Sequence, residues 1–244
     1  MHYTHEHLEI QNTLKRFIDA EINPHVDEWE EAGIFPAHEV FKKLGNLGLL
    51  GLTKPEAYGG AGLDYSYSLA MAETLGHIHC GGVPMAIGVQ TDMCTPALAR
   101  FGSEELKREF LAPAIAGDMV GCIGVSEPGA GSDVLSMKLR AQDKGGYFVL
   151  NGTKMWITNG CIDEDGTPAD VVWVYAKTGV DDRGRVQMST FLVEAGMKGY
   201  SVGQKIYDKT GMRASNTAEL VFEDCIVPAA NLVGEPGQSL LHMM

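Results

Sequence analysis

Apolar residues recur at helical spacing from the N-terminus to about residue 117 and then switch to a period of two. Ile10, Leu14, Phe17, Ile18 and Ile22 mark one face of a helix over 5–22, and Asn23-Pro24 stops it. Pro36 is placed to open a second helix carrying Val40, Phe41 and Leu44, before Gly45, Gly48 and Gly51 break the regularity. Residues 64–79 and 83–100 predict two further helices, in which Met71, Met85 and Met93 read as core fillers. Ser103 caps a helix through Ile115 with Glu104 and Glu105 in its first turn, and Pro113 bends or ends it early. The period changes near Gly117-Asp118, and a domain boundary is placed there.

Strands are predicted over 119–125, 134–141, 147–150, 153–158, 171–175, 188–194 and 217–223. Val171-Val-Trp-Val-Tyr175 is apolar on both faces, as a central buried strand would be. Asn151-Gly152 between two β-rich runs predicts a hairpin. In its returning strand Trp156 and Thr158 share one face, and Met155 and Ile157 the other. Residues 161–168 form an exposed acidic loop. Pro236-Gly237-Gln238 leads into what reads as the first turn of a helix. The expected architecture is α+β: an all-α domain over 1–118, then a small antiparallel β sandwich or barrel over 119–234.

The 244 residues carry a formal charge of −13, which argues against nucleic acid or an anionic membrane as partner. The five cysteines include no Cys-x-x-Cys pair, so neither a zinc site nor a disulfide framework is indicated, and reduced thiols fit best. His2, His5 and His7 read as a frayed terminus, and no metal site is expected. The N-terminus has no apolar signal region, and no apolar run is long enough to span a membrane.

Candidate chemistry lies in Ile123-Gly-Val-Ser-Glu-Pro-Gly-Ala-Gly-Ser-Asp133. Gly129 and Gly131 permit backbone angles closed to other residues, and Ser126 and Ser132 flank them with hydroxyls, so a diphosphate or a polar ring edge fits there. No Gly-Lys-Ser/Thr follows, and the third glycine of a dinucleotide fingerprint is absent. Trp156 beside Thr158 suits a planar heteroaromatic ring, although a core tryptophan next to a satisfied threonine has the same spacing. Between Arg183 and Arg213 six basic residues (Arg183, Arg185, Lys198, Lys205, Lys209, Arg213) face two acidic ones, Glu194 and Asp208. That run is either an anion path or a solvated face.

Ser126-Glu-Pro-Gly-Ala-Gly-Ser-Asp133 followed by Lys154-Met-Trp-Ile-Thr-Asn-Gly160 resembles the flavin signature of the acyl-CoA dehydrogenases. The similarity extends over essentially the whole chain, including the Tyr58-Gly-Gly-Ala-Gly62 turn and Gly211-Met-Arg-Ala-Ser-Asn-Thr217. Ser126 stands where many members have Thr, and 161–168 lengthens the usual run. The resemblance implies FAD held by Ile123, Gly124, Val125, Ser126, Glu127, Pro128, Gly129, Ala130, Gly131, Ser132, Trp156, Ile157 and Thr158, with Ser132 also touching the acyl-CoA. It implies α,β-dehydrogenation of an acyl-CoA, short or branched, with electrons passed to an electron-transfer flavoprotein. It also implies a homo-oligomer, dimer or tetramer, in a bacterial cytoplasm or a mitochondrial matrix. Segments 140–177, 211–217 and 222–225 look most like isovaleryl-CoA dehydrogenases. The family's base is a glutamate in a C-terminal helical domain, of which 235–244 would be the start. The base is therefore expected beyond Met244, Glu127 is read as structural, and these residues alone are expected to be inactive. The alternatives are an acyl-CoA oxidase or flavin monooxygenase of the same fold, or a non-catalytic flavin- or CoA-binding module.

Overall fold

The computed structural model describes residues 2–243. Its helical half runs α1 (His5–Phe17), α2 (Val26–Ala32), α3 (Ala37–Asn46), α4 (Tyr65–Leu75), α5 (Gly82–Gly88), α6 (Thr95–Phe101), α7 (Glu104–Leu106) and α8 (Ala112–Ala116). The predicted face of the first helix is buried: Leu14, Phe17, Ile18 and Ile22 share a core with Phe35, Val40, Phe41, Leu44, Met71 and Leu75. Met71 does fill the core, but Met85 and Met93 are exposed. Ser103 Oγ accepts the Leu106 amide at 3.2 Å, as the cap requires.

Pro24 does not stop its helix as expected. Three π turns, Ile18–Ile22, Val89–Cys94 and Lys107–Leu111, are each followed two residues on by a proline: Pro24, Pro96 and Pro113. Proline has no N–H to donate, and its ring crowds the carbonyl four residues back. Each of those carbonyls (Ala20, Asp92, Glu109) lies inside a π turn, whose wider winding relieves the crowding. The chain therefore continues helically past each proline. Nor is the N-terminus frayed at His7: its ring stacks on Tyr67 with centroids 3.7 Å apart, and Nε2 lies 2.8 Å from Ser66 Oγ.

The second half builds one sheet from β1 (Gly121–Gly124), β2 (Arg140–Asp143), β3 (Tyr147–Ile157), β4 (Val171–Val180), β5 (Val186–Glu194), β6 (Tyr200–Lys205), β7 (Ala218–Pro228) and β8 (Leu232–Val233). Strand order is β6-β7-β3-β2-β4-β5-β8, with β1 also on β4. The sheet is mixed rather than purely antiparallel, because β1 and β2 both run parallel to β4. The chain reverses twice between β2 and β4, which returns it to the direction of β1. The central strand is as predicted: Val171 to Ala176 are wholly buried.

Asn151-Gly152 makes no hairpin. It lies within continuous β3, which pairs with β7 along its length and shifts register between Leu150 and Gly152 and again between Lys154 and Ile157. Gly152 has φ 142°, and a Cβ there would sit 2.7 Å from the Leu139 Cα. The glycine thus admits a bulge and a close chain crossing rather than a turn. Asn151 instead clasps Asp224 of β7, its Oδ1 accepting the Asp224 amide at 2.9 Å. The predicted strand over 134–141 exists only from Arg140; Val134–Ser136 is a 3-10 turn. The 161–168 loop is partly closed, with Cys161 buried and bridged to Pro168. Ser239–His242 is a 3-10 turn packed back on the body, with His242 Nδ1 2.9 Å from Thr190 Oγ1; Met244 lies outside the described residues.

The two halves interlock. Val89, Leu98, Phe110 and Leu111 share one core with Val171, Trp173 and Leu192. Buried Gln90 donates to Ala114 O and Met119 O, and its Oε1 accepts the Gly121 amide. Asn216 pairs with both backbone groups of Phe35, accepting at 3.1 Å and donating at 3.2 Å.

Candidate functional site

β1 and β2 lie along the same edge of β4, β1 beside Val171–Val174 and β2 at Lys177. Residues 125–139 leave that line as a loop. Inside it Glu127 and Ala130 exchange two backbone hydrogen bonds, 2.8 and 3.2 Å, forming a tight turn. Ala130 and Met137 are buried against Tyr175 and Met188, which anchors the underside. Pro128, Gly129, Gly131, Ser132 and Asp133 form the exposed outer rim.

Gly129 and Gly131 are not needed for a left-handed backbone, since neither has positive φ. What they provide is clearance: a Cβ at either would find no atom within 4 Å, so the rim presents bare peptide to whatever approaches. The second motif meets this loop directly, because the Met155 amide donates to Ser126 O at 2.9 Å.

The next residue, Trp156, has φ 60° and is 58% exposed. Left-handed backbone on a bulky residue is strained and persists where the surroundings enforce it. The simple alternation that would pair Trp156 with Thr158 does not apply here. Lys154, two residues before Trp156, is wholly buried, so the bulge and the φ reversal, not the strand period, turn the indole outward. Ile157 is in the core beneath the sheet, and Thr158 is half-buried. Asn159, also at φ 60° and buried, donates to Ala86 O and Gly121 O, tying the end of the motif to α5 and β1.

Glu127 and Lys154 form a buried ion pair at 2.9 Å. Burial pushes the Glu127 carboxyl up. Hydrogen bonds from the Lys138 amide, the Lys154 ammonium and the Leu139 amide outweigh that and hold it below the ordinary carboxylate value. Burial likewise lowers the Lys154 pKa, against the pull of Glu127. Lys154 opens the second motif, but its burial is not legible from sequence, because lysines are almost never fully buried and nothing in its neighbours marks this one.

The basic run divides. Arg185 pairs with Asp181 in the β4–β5 turn at 2.6 Å. Lys209 donates to Ile206 O and Ser215 O, and Arg213 Nε to Lys209 O. These three groups brace their own loops. Among the described residues no group of three or more His, Cys, Asp or Glu is placed to hold a metal. Among the described residues no helix is long and apolar enough to cross a membrane.

A helical layer locked onto a mixed sheet, with a bare-peptide loop beside an outward-turned tryptophan, defines the class. Residues 4–118 match the acyl-CoA dehydrogenase N-terminal domain, and residues 122–225 the acyl-CoA dehydrogenase middle domain. The chain belongs to the acyl-CoA dehydrogenase family. It is 41% identical over 244 residues to an isovaleryl-CoA dehydrogenase, mitochondrial, from Pongo abelii, covering 98% of this chain and 55% of that protein. An acyl-CoA dehydrogenase from Geobacillus kaustophilus superposes with a TM-score of 0.89 at 35% identity, over 100% of this chain and 62% of the other. An acyl-CoA dehydrogenase complexed with FAD from Bacillus anthracis gives 0.87 at 35% identity, over 98% and 39%. The chain thus spans about half the length of the curated relatives it matches.

Proposed function

We propose that this chain forms the flavin bed and one substrate wall of an FAD-dependent acyl-CoA dehydrogenase. The observation that carries the proposal is the Met155–Ser126 hydrogen bond, which brings the exposed Trp156 to the edge of the glycine loop. The residues suit FAD: the bare peptides at Gly129 and Gly131 and the Ser132 hydroxyl offer polar contacts, and the exposed Trp156 an aromatic face, with the half-buried Thr158 hydroxyl two residues on. Residues 123–132 and 156–158 would hold it, Glu127 and Ile157 from behind, and Ser132 would also touch the thioester. Bound there, FAD supplies the acceptor for the β-hydrogen and its electron pair. The chain's own part is to position the acyl group and keep water from the reacting carbons. Removal of the α-proton needs a positioned base. Glu127 does not serve, since it is buried with both carboxyl oxygens engaged. None of the residues proposed to hold the flavin is therefore the base.

Likeness to isovaleryl-CoA dehydrogenase supports a branched short acyl group as substrate. An electron-transfer flavoprotein as acceptor, a homo-oligomer, and a bacterial cytoplasm or mitochondrial matrix as location belong to the same proposal. So do boundaries at 118 and 234.

The test is a flavin titration. Residues 1–244 bind FAD, and Trp156→Ala and Gly131→Val each weaken it by about tenfold, 1.4 kcal/mol. Isovaleryl-CoA added without oxygen leaves the flavin of this chain yellow and bleaches that of a whole protein containing the base. Slow reoxidation in air marks a dehydrogenase and rapid reoxidation an oxidase. A whole protein that is never bleached is a binding module. Equal FAD retention in both variants rules out the assigned bed.

A further inference from the structure

The flavin loop has almost no backbone pairing across its own neck. Its first and last residues, Val125 and Leu139, instead converge on one buried pair of side chains. Lys154 Nζ donates to Val125 O at 2.9 Å and to Glu127 Oε1 at 2.9 Å, and lies 3.8 Å from Met137 Sδ. Glu127 Oε2 accepts the Lys138 amide at 2.5 Å, and Oε1 accepts the Leu139 amide at 3.0 Å. The outgoing limb, the returning limb and β3 therefore meet at two side chains. Gly124 makes the space for this, since a Cβ there would stand 3.2 Å from Lys154 Cγ.

We infer that Lys154 and Glu127 are positioning residues that close the neck of the flavin loop and set where its glycine turn meets the cofactor. The inference rests on the flavin reading above. An apolar pair could fill the same volume but would leave the buried Leu139 amide, and the partly buried Lys138 amide and Val125 carbonyl, without these partners. Only a carboxylate offers two oxygens to two adjacent amides and still holds the ammonium that secures the opposite limb. The direction of the Glu127 pKa agrees, since it keeps the group anionic at neutral pH. Removing either partner strands the other charge in the protein, and the loop, whose rim is already exposed, opens to hydrate it.

Lys154→Met and the isosteric Glu127→Gln test this in the FAD-loaded protein. Three readouts are taken together: circular dichroism melting, chymotryptic cleavage after the exposed Leu135, and FAD affinity. The expected result is a folded protein in which cleavage at Leu135 rises at least tenfold, with no matching rise elsewhere. FAD affinity falls at least tenfold, and the resolved absorption shoulder of the bound flavin broadens. A merely structural role would lower the melting temperature without this selectivity. Cleavage and affinity within twofold of wild type in the folded variants overturn the inference. Global unfolding of both variants also overturns it, because the pair would then hold the sheet and not the loop. If the wild type binds no FAD, the flavin reading fails, and Leu135 cleavage alone still decides whether the pair closes the neck.

Discussion

At Glu127 two influences oppose one another: burial favours the neutral acid, and two amides with one ammonium favour the carboxylate. Hydrogen bonding wins, so the folded pKa lies below the ordinary value. The sign of the pH effect follows. The stabilisation is complete above the unfolded glutamate value of about 4.3, and it is lost as the pH falls through the lower folded value. Glu127→Gln removes that titration. The gap in melting temperature between wild type and variant is therefore widest near neutrality and narrows below about pH 4. Melting curves of both proteins from pH 7 to pH 3 measure it, and a gap that stays constant contradicts the assignment. The glycines at 129 and 131 work differently from glycines at turns. Residue type marks them as a candidate ligand loop, and in the structure they have open space around them rather than positive φ.

Among the elements, β3 shows how a local signal is overridden. Asn-Gly favours a two-residue turn, yet the strand continues because β7 offers it a partner on both sides of the dipeptide. Gly152 is retained for its φ of 142° and for the passage of Leu139. Gly152→Val should cost about 2–4 kcal/mol, since it combines strained backbone with a clash against main chain that cannot move freely. Urea unfolding reads this as a lower midpoint, and a cost under about 0.5 kcal/mol, the range of neutral surface changes, would contradict it. The same lesson holds for the helices. Proline forbids one hydrogen bond, but it does not forbid a helix that widens ahead of it.

Across the whole molecule the site depends on the junction between helices and sheet. Asn216 occupies both backbone groups of Phe35 from within the buried interface. Glu30 accepts the Arg213 and Ala214 amides at 3.1 and 3.0 Å beside it. Asn216→Ala would leave the Phe35 N–H and C=O buried and unpaired, at about 1–3 kcal/mol for each group. Chemical denaturation should show a midpoint lowered accordingly. The near-ultraviolet signal of Trp29, which packs against Phe35, should change with it. An unchanged midpoint would mean that water replaces the asparagine.

The residue pattern by itself determined the order of a helical half and a β half, the buried centre at 171–175, and the two stretches that form the candidate site. Period and residue type are local properties, and both survive folding here. Tertiary structure decided what depends on partners distant in the chain. It set the parallel placement of β1 and β2 on β4, the continuation of β3 through Asn151-Gly152, the outward turn of Trp156, and the burial of Lys154 opposite Glu127. Each of these is stabilised by contacts across tens of residues, which no local window contains. A lysine is hidden or exposed according to whether a carboxylate waits at the far end of a loop.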